Sequence, residues 1–287
     1  MSRAREAVVT DTISVLAIRT PTLPPATHTN AYLVGTREAV LVEPASPYDD
    51  EIARTVAWVA SAVERGLELR ALVLTHHHPD HAGGAAALRE RLGLPVWAHP
   101  ATAERLRGVV EVDRMLEHGE RIELDGPIPT VLEAVHTPGH APGHLCFSDA
   151  WSRALIAGDM VASVGTILVE PVDGDMAQYL RSLAQMRDLR ASALLPAHGA
   201  PIADPTAKLD EYIAHRLMRE GKVLAALAAR SAAASPTDLV PVAYDDAPPA
   251  VWPLAARAVE AHLIKLERDG RVTRRGERWL APPGVRA

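Results

Sequence analysis

Cys146 is the only cysteine among 287 residues, so no internal disulfide can form. Its setting, Leu145-Cys146-Phe147, reads as a buried strand and not as a reactive thiol. Phenylalanine also occurs once, which leaves Ala, Leu and Val to fill the core. No apolar run approaches the roughly 20 residues needed to span a bilayer. Met1-Ser2-Arg3-Ala4-Arg5-Glu6 lacks an apolar signal segment, so a soluble, cytoplasmic protein is the expectation. Excess positive charge is missing too. A net charge of -6 argues against a chain that coats itself in nucleic acid, though it leaves room for a local basic patch. Internal repeats and low-complexity tracts are absent. An apolar fraction of 48% is ample for a packed core, and the length suits one large domain followed by a small one.

What is present is a dense set of metal-ligand side chains. Thr75-His76-His77-His78-Pro79-Asp80-His81 follows the apolar run Ala71-Leu72-Val73-Leu74, which reads as a buried strand. Imidazoles suit zinc and its neighbours, and a carboxylate adds a harder oxygen ligand. His76 and His78 can converge on one ion, and Asp80 and His81 offer ligands for a second. A histidine-rich surface loop would need no partners elsewhere, yet partners occur. Val135-His136-Thr137-Pro138-Gly139-His140, Leu155-Ile156-Ala157-Gly158-Asp159 and Leu194-Leu195-Pro196-Ala197-His198-Gly199 each end an apolar segment in a ligand residue beside glycine. Together His76, His78, Asp80, His81, His140, Asp159 and His198 are enough for two ions sharing a bridging carboxylate.

The H-x-H-x-D-H cluster, followed in order by T-P-G-H, G-D and P-A-H-G, resembles the metallo-β-lactamase superfamily. The resemblance covers about the first two thirds of the chain. It implies an α/β fold, a four-layer αβ/βα sandwich with a dinuclear site at one edge. It also implies the division of ligands, which spacing alone does not. His76, His78 and His140 match one site, Asp80, His81 and His198 the other, and Asp159 the bridge. Two divalent ions are expected, zinc first, with iron or manganese as replacements.

Strands are expected at Ile13 to Ile18, Thr29 to Val34, Ala39 to Pro44 and Leu94 to Ala98, and helices at Asp49 to Arg65 and Ala85 to Arg91. This alternation argues for an α/β class. After His198 the character changes. Asp204 reads as an N-cap and Pro205 as the first residue of a helix reaching Ala229. A second helix, Val251 to Arg268, precedes a turn and two short strands, the outline of a winged helix. The expected division is a catalytic domain over 1–204, then a helical linker and winged-helix-like domain over 205–287. The tail resembles that of lactamase-beta-2-like proteins, and so does Tyr212 to Glu220.

Other histidines carry blander readings. His77 turns away from the cluster, His99 is a turn residue, and His136 and His144 make polar loop contacts or orient a ligand. His118 and His262 read as surface. For His215 and Arg216, two readings stand level: a helix projecting them over the pocket, where Arg216 grips a carboxylate or phosphate of the substrate, or a solvated helix face. Arg271, Arg274, Arg275 and Arg278 near Trp279 could hold single-stranded nucleic acid or form a solvated wing with Trp279 packed beneath.

The chemistry expected is metal-assisted hydrolysis by a metal-bridging hydroxide, available near neutral pH because metal binding lowers the pKa of water to about 7. Asp80 is the catalytic candidate that orients it. The resemblance narrows the choice. True β-lactamases of the best-known class carry a cysteine where Asp159 stands, which argues against antibiotic hydrolysis. Flavodiiron relatives carry a glutamate where His78 stands. Glyoxalase II-like thioesterases share the ligand set but carry another tail. Lactamase-beta-2-like proteins include single-strand endoribonucleases and polyketide-associated thioesterases. The first expectation is therefore a small-molecule thioester or ester substrate, the second RNA, and the third a non-catalytic nucleic-acid-binding module.

Overall fold

A computed structural model describes residues 7–282, so the Met1 to Glu6 segment lies outside the described residues. The first half of the chain forms a seven-stranded sheet in sequence order. Its strands are β1 (Ala7–Val8), β2 (Ile13–Arg19), β3 (His28–Gly35), β4 (Glu38–Val42), β5 (Glu68–Val73), β6 (Val96–Ala98) and β7 (Arg114–Met115). Helices α1 (Asp49–Glu64), α2 (Pro79–Ala82), α3 (Ala85–Leu92) and α4 (Pro100–Arg105) are interleaved. A five-stranded sheet follows, built from β8 (Arg121–Leu124), β9 (Thr130–His136), β10 (Leu145–Asp149), β11 (Ala154–Gly158) and β12 (Ala193–Pro196), with α5 (Met176–Asp188) between the last two. The remainder is α6 (Pro205–Ala228), α7 (Pro236–Ala243), α8 (Trp252–Arg268) and the hairpin β13 (Thr273–Arg275) and β14 (Arg278–Leu280).

Side-chain alternation along the strands sets the layers, because successive residues point to opposite faces. Leu33 and Leu41 face α1 and α3, packing with Trp58, Val59 and Leu88. Their neighbours Tyr32, Val34, Val40 and Val42 face the second sheet and meet Leu132, Phe147, Ile156 and Leu195. The opposite face of that sheet carries Cys146, Leu155 and Leu194 against Leu183 and Met186 of α5 and Leu209 and Tyr212 of α6. Helices, sheet, sheet, helices is the result, and strands buried on both faces read as continuous apolar runs for this reason. Fully burying one such Leu or Phe contributes about 1.5–3 kcal/mol.

The helix beginning at Asp204 forms as the sequence predicts. The Asp204 side chain accepts the Ala207 N–H, and Pro205 opens the first turn. Its first half packs on the two-sheet sandwich. Its second half, with Val223, Leu224 and Leu227, packs with α7, α8 and Trp279 in a separate core. Trp279 is buried, and its backbone pairs with Ala234. His262 is a correction to the surface reading, for it is fully buried. It lies three residues after Val259 and four before Leu266, on the apolar face of α8.

Strand directions decide where the ligands meet. β4 and β5 are parallel, and β9, β11 and β12 run the same way as one another, since β9 and β11 both pair antiparallel with β10. Their C-terminal ends therefore share one rim of each sheet. Cross-sheet bonds pin the two rims together: Tyr32 Oη donates to Pro196 O at 2.8 Å, and Leu145 N donates to Thr75 O at 2.8 Å. Among the described residues, no helix is long and apolar enough to cross a membrane.

Candidate metal centre

Each motif residue sits just beyond a strand end or in the first turn after it. His76 and His78 follow β5, and His78 is the N-cap of α2, which carries Asp80 and His81. Asp159 follows β11 and His198 follows β12. Glycine is required beside two of the ligands. Gly139 has φ +131°, and a Cβ there would lie 2.2 Å from Tyr179 N. Gly158 has φ +49°, and a Cβ there would lie 2.5 Å from His144 Nε2.

Three imidazoles converge. His76 Nε2 and His78 Nδ1 are 3.0 Å apart, His140 Nε2 and His78 Nδ1 3.0 Å, and His140 Nε2 and His76 Nε2 3.2 Å. These contacts are not hydrogen bonds among neutral rings, because the ring protons are committed on the outer side. His140 Nδ1 donates to Leu168 O at 2.9 Å, which can only accept. Thr75 Oγ1 donates to Glu43 Oε1 at 2.6 Å, so it accepts from His76 Nδ1 at 3.0 Å. His78 Nε2 faces Asp173 Oδ2 at 3.4 Å. The three inner nitrogens thus present lone pairs to one another, an arrangement that suits a shared cation.

A second group adjoins the first. Asp80, His81 and His198 bring ligand atoms within 4.8 Å of one another. His198 Nδ1 donates to His28 O at 2.9 Å, and His81 Nδ1 donates to Glu43 Oε1 at 3.1 Å, so both Nε2 atoms face inward. Asp159 lies between the groups. Its Oδ2 is 3.6 Å from His140 Nε2 and 3.5 Å from His81 Nε2, and its Oδ1 is 3.2 Å from His198 Nε2. His81 Nε2 and Asp159 Oδ1 are buried without a hydrogen-bond partner. Buried polar atoms are rarely left so, and a divalent ion would satisfy both. The donor set, imidazole nitrogen and carboxylate oxygen, fits zinc, iron or manganese.

The electrostatics differ between the two groups. Burial pushes His140 down to about 4 and His76 well below its ordinary value, so both stay neutral and keep their lone pairs. Burial also works against a charged His81, but the carboxylates of Glu43, Asp159 and Asp80 outweigh it and raise its pKa well above the usual range. His198 is raised to about 10 against its burial, mainly by Asp159. Burial opposes the ionised form of Asp80, yet His81 and His198 hold it down to about 2. The negative charge that retains protons on His81 and His198 is the charge a divalent cation would compensate.

Glu43 and Asp173 escaped the sequence reading. Glu43, fully buried beyond the end of β4, orients both His76 (through Thr75) and His81. Its only signal was an acid terminating an apolar strand. Asp173 accepts from His77 Nε2 at 3.1 Å, so His77 serves the surround and not the centre. His144 is fully buried and its Nε2 accepts the Asp159 backbone N–H at 3.0 Å, setting the turn that carries this acid. His99 caps α4 by accepting the Ala101 N–H, and its ring stacks on His136 at 4.1 Å.

Arg216 does not lie on a solvated helix face. Arg216 is buried, donates to Ile167 O and lies over the Tyr179 ring, so it presents no guanidinium edge to a substrate and no solvated face. His215 is half-buried, and Arg219 Nε contacts its Nε2 at 3.4 Å. A helix packed on both sides leaves Arg216 inside.

Comparison with known proteins accords with this architecture. Residues 24–198 match the metallo-beta-lactamase superfamily, and residues 235–279 match the beta-lactamase associated winged helix domain. A beta-lactamase-like protein 2 homolog from Caenorhabditis elegans is 30% identical over 247 residues, 84% of this chain and 79% of that protein. An atrochrysone carboxyl ACP thioesterase from Aspergillus chevalieri is 35% identical over 207 residues, 69% of this chain. The chain spans only 60% of the length of that thioesterase and of a lactamase-like protein from Emericella nidulans. A crystal structure of a metallo-beta-lactamase family protein from Thermus thermophilus superposes with a TM-score of 0.76 at 25% identity, covering 96% of this chain and all of that one.

Proposed function

Since the chain belongs to the metallo-β-lactamase superfamily of hydrolases and carries its associated winged helix, we propose that it is a dinuclear-metal hydrolase of small-molecule thioesters or esters. The observation that carries this reading is Asp159. One carboxylate oxygen lies 3.6 Å from His140 and 3.5 Å from His81, between two sets of inward-facing donors. His76, His78 and His140 would hold one ion, and Asp80, His81 and His198 the other, with Asp159 shared. Bound divalent ions supply Lewis acidity, ionising water near neutral pH and stabilising negative charge on a substrate oxygen.

The chain's own groups do the rest. Asp80 stays ionised at neutral pH and would orient the attacking water through its carboxylate oxygens. His198 Nε2 lies 3.6 Å from Asp80 Oδ2, and both groups face the same centre. Glu43 and Asp173 hold the rings in the tautomers that leave inner nitrogens free. No serine or cysteine nucleophile is required, and Cys146 is fully buried. Similarity to an acyl-carrier thioesterase supports a thioester over other carbonyl substrates.

Single-stranded RNA is the second reading, favoured by the winged helix and the exposed Arg271, Arg274, Arg275 and Arg278. Against it, Arg274 stacks over Trp279, and Arg278 bonds to Ala233 O and lies 3.4 Å from Asp238. We further propose the chain divides near residue 204, with the catalytic machinery before it. The test is an assay panel of acyl-thioesters, aryl esters, lactones and single-stranded RNA on zinc-loaded protein. Thioester turnover that chelation abolishes and zinc restores is expected. RNA cleavage lost on neutralising the wing arginines, with no thioester turnover, would replace the first reading by the second.

A further inference from the structure

Residues 159–175 join β11 to α5 without regular secondary structure of their own. Two groups on this strap serve the imidazoles of one cluster. Leu168 O accepts from His140 Nδ1 at 2.9 Å, and Asp173 Oδ2 faces His78 Nε2 at 3.4 Å. Arg105 Nε lies 3.0 Å from Asp173 Oδ1 and fixes that carboxylate from the other side. His77, His78 and Asp173 also bring ligand atoms within 4.8 Å of one another, but the permanent cation on Arg105 disfavours a third metal there.

The opposite side of the strap is held from the C-terminal helices. Tyr212 Oη of α6 donates to Gly165 O at 3.0 Å. Arg216 of α6 donates to Ile167 O, one residue from Leu168. On α8, Arg257 pairs with Glu170 at 2.7 Å, and Arg268 pairs with Asp175. The strap makes no ladder of its own, so its carbonyls are fixed by these partners and by Met160, Val161, Ile167 and Val169, which pack in the core beneath α5 and α6.

We infer that α6 and α8 position two of the three imidazoles of the His76, His78 and His140 cluster through this strap, with Asp173 and Arg216 as positioning residues. The inference rests on the metal reading above. The tail is then part of the metal centre's support, whatever else it binds. Groups outside the ligand shell that orient metal-bound histidines typically govern about 10- to 100-fold in metal affinity.

The experiment measures zinc affinities of the full chain by chelator competition, together with thermal unfolding. Two variants are compared with the parent: Asp173→Ala, beside His78, and the remote double change Arg257→Gln with Arg268→Gln, at exposed positions that the fold tolerates. Asp173→Ala is expected to weaken one of the two bound ions by about 10- to 100-fold and leave the other unchanged. The remote pair should weaken an ion by about two- to fivefold, the size of exposed ion pairs. Unchanged affinity in the remote pair overturns the inference, and so does equal weakening of both ions, which reports general loosening. A parent protein that binds no zinc would instead remove the metal reading, and the inference with it.

Discussion

Glu43 Oε1 accepts from His81 Nδ1 at 3.1 Å, with both side chains fully buried. The same oxygen accepts from Thr75 Oγ1, which receives the His76 ring proton. One carboxylate therefore sets a ring in each of the two ligand groups. Its backbone has φ +64°, uncommon for a residue with a side chain, and Glu43 N is anchored to Val73 O at 3.0 Å. Replacing Glu43 by Ala should lower affinity for both ions by about 10- to 100-fold. Elemental analysis after dialysis against a weak chelator checks it. Two ions retained at parental affinity would remove Glu43 from the support of the centre.

Asp159→Ala should leave a folded protein that holds fewer than two ions and has lost hydrolysis. Loss beyond the roughly 100-fold reached by changes outside the ligand shell is expected, since a donor common to both groups is gone. The measurements are metal stoichiometry and turnover on whichever substrate the panel yields. Parental turnover with both ions bound would sink the bridging role.

Stability should rise with pH between about 4 and 6.5, in part through His99. Burial, aided by the His136 ring stacked on it, lowers His99 to about 4. Across that window the unfolded chain binds the proton that the folded ring refuses, so acid favours unfolding and the effect is absent at higher pH. His99→Asn keeps an acceptor for the Ala101 N–H but cannot titrate. Urea unfolding at pH 5 and pH 7 should show a smaller difference for this variant than for the parent. An identical difference would assign the slope to other groups.

Thiol reagents should not modify Cys146 in the native protein. Burial pushes its pKa up to about 12, and its Sγ lies 3.3 Å from Thr137 Oγ1 inside the second sheet. Thiolate is the reactive form, so both access and ionisation are withheld. Mass spectrometry should find one label after denaturation and none before. Rapid native labelling would contradict the packing around β10.

The ligand motifs were readable in the sequence because each is local. A short apolar strand that ends in a turn places His76, His78, Asp159 or His198 at a rim by its own geometry, and Asp204 with Pro205 announces α6 for the same reason. Alternating apolar residues likewise told which strands are buried on two faces. The surrounding partners were beyond reach. Asp173 meets His78 across 95 residues and Arg216 meets Ile167 across 49, contacts that no periodicity encodes. Arg216 and His262 look like surface residues in one dimension because charge and polarity suggest solvent. Tertiary packing buries them by closing α6 and α8 onto the sandwich. Sequence alone marked the candidate ligands. The tertiary structure decided which proton each imidazole keeps, because that depends on an acceptor brought from a distant part of the chain.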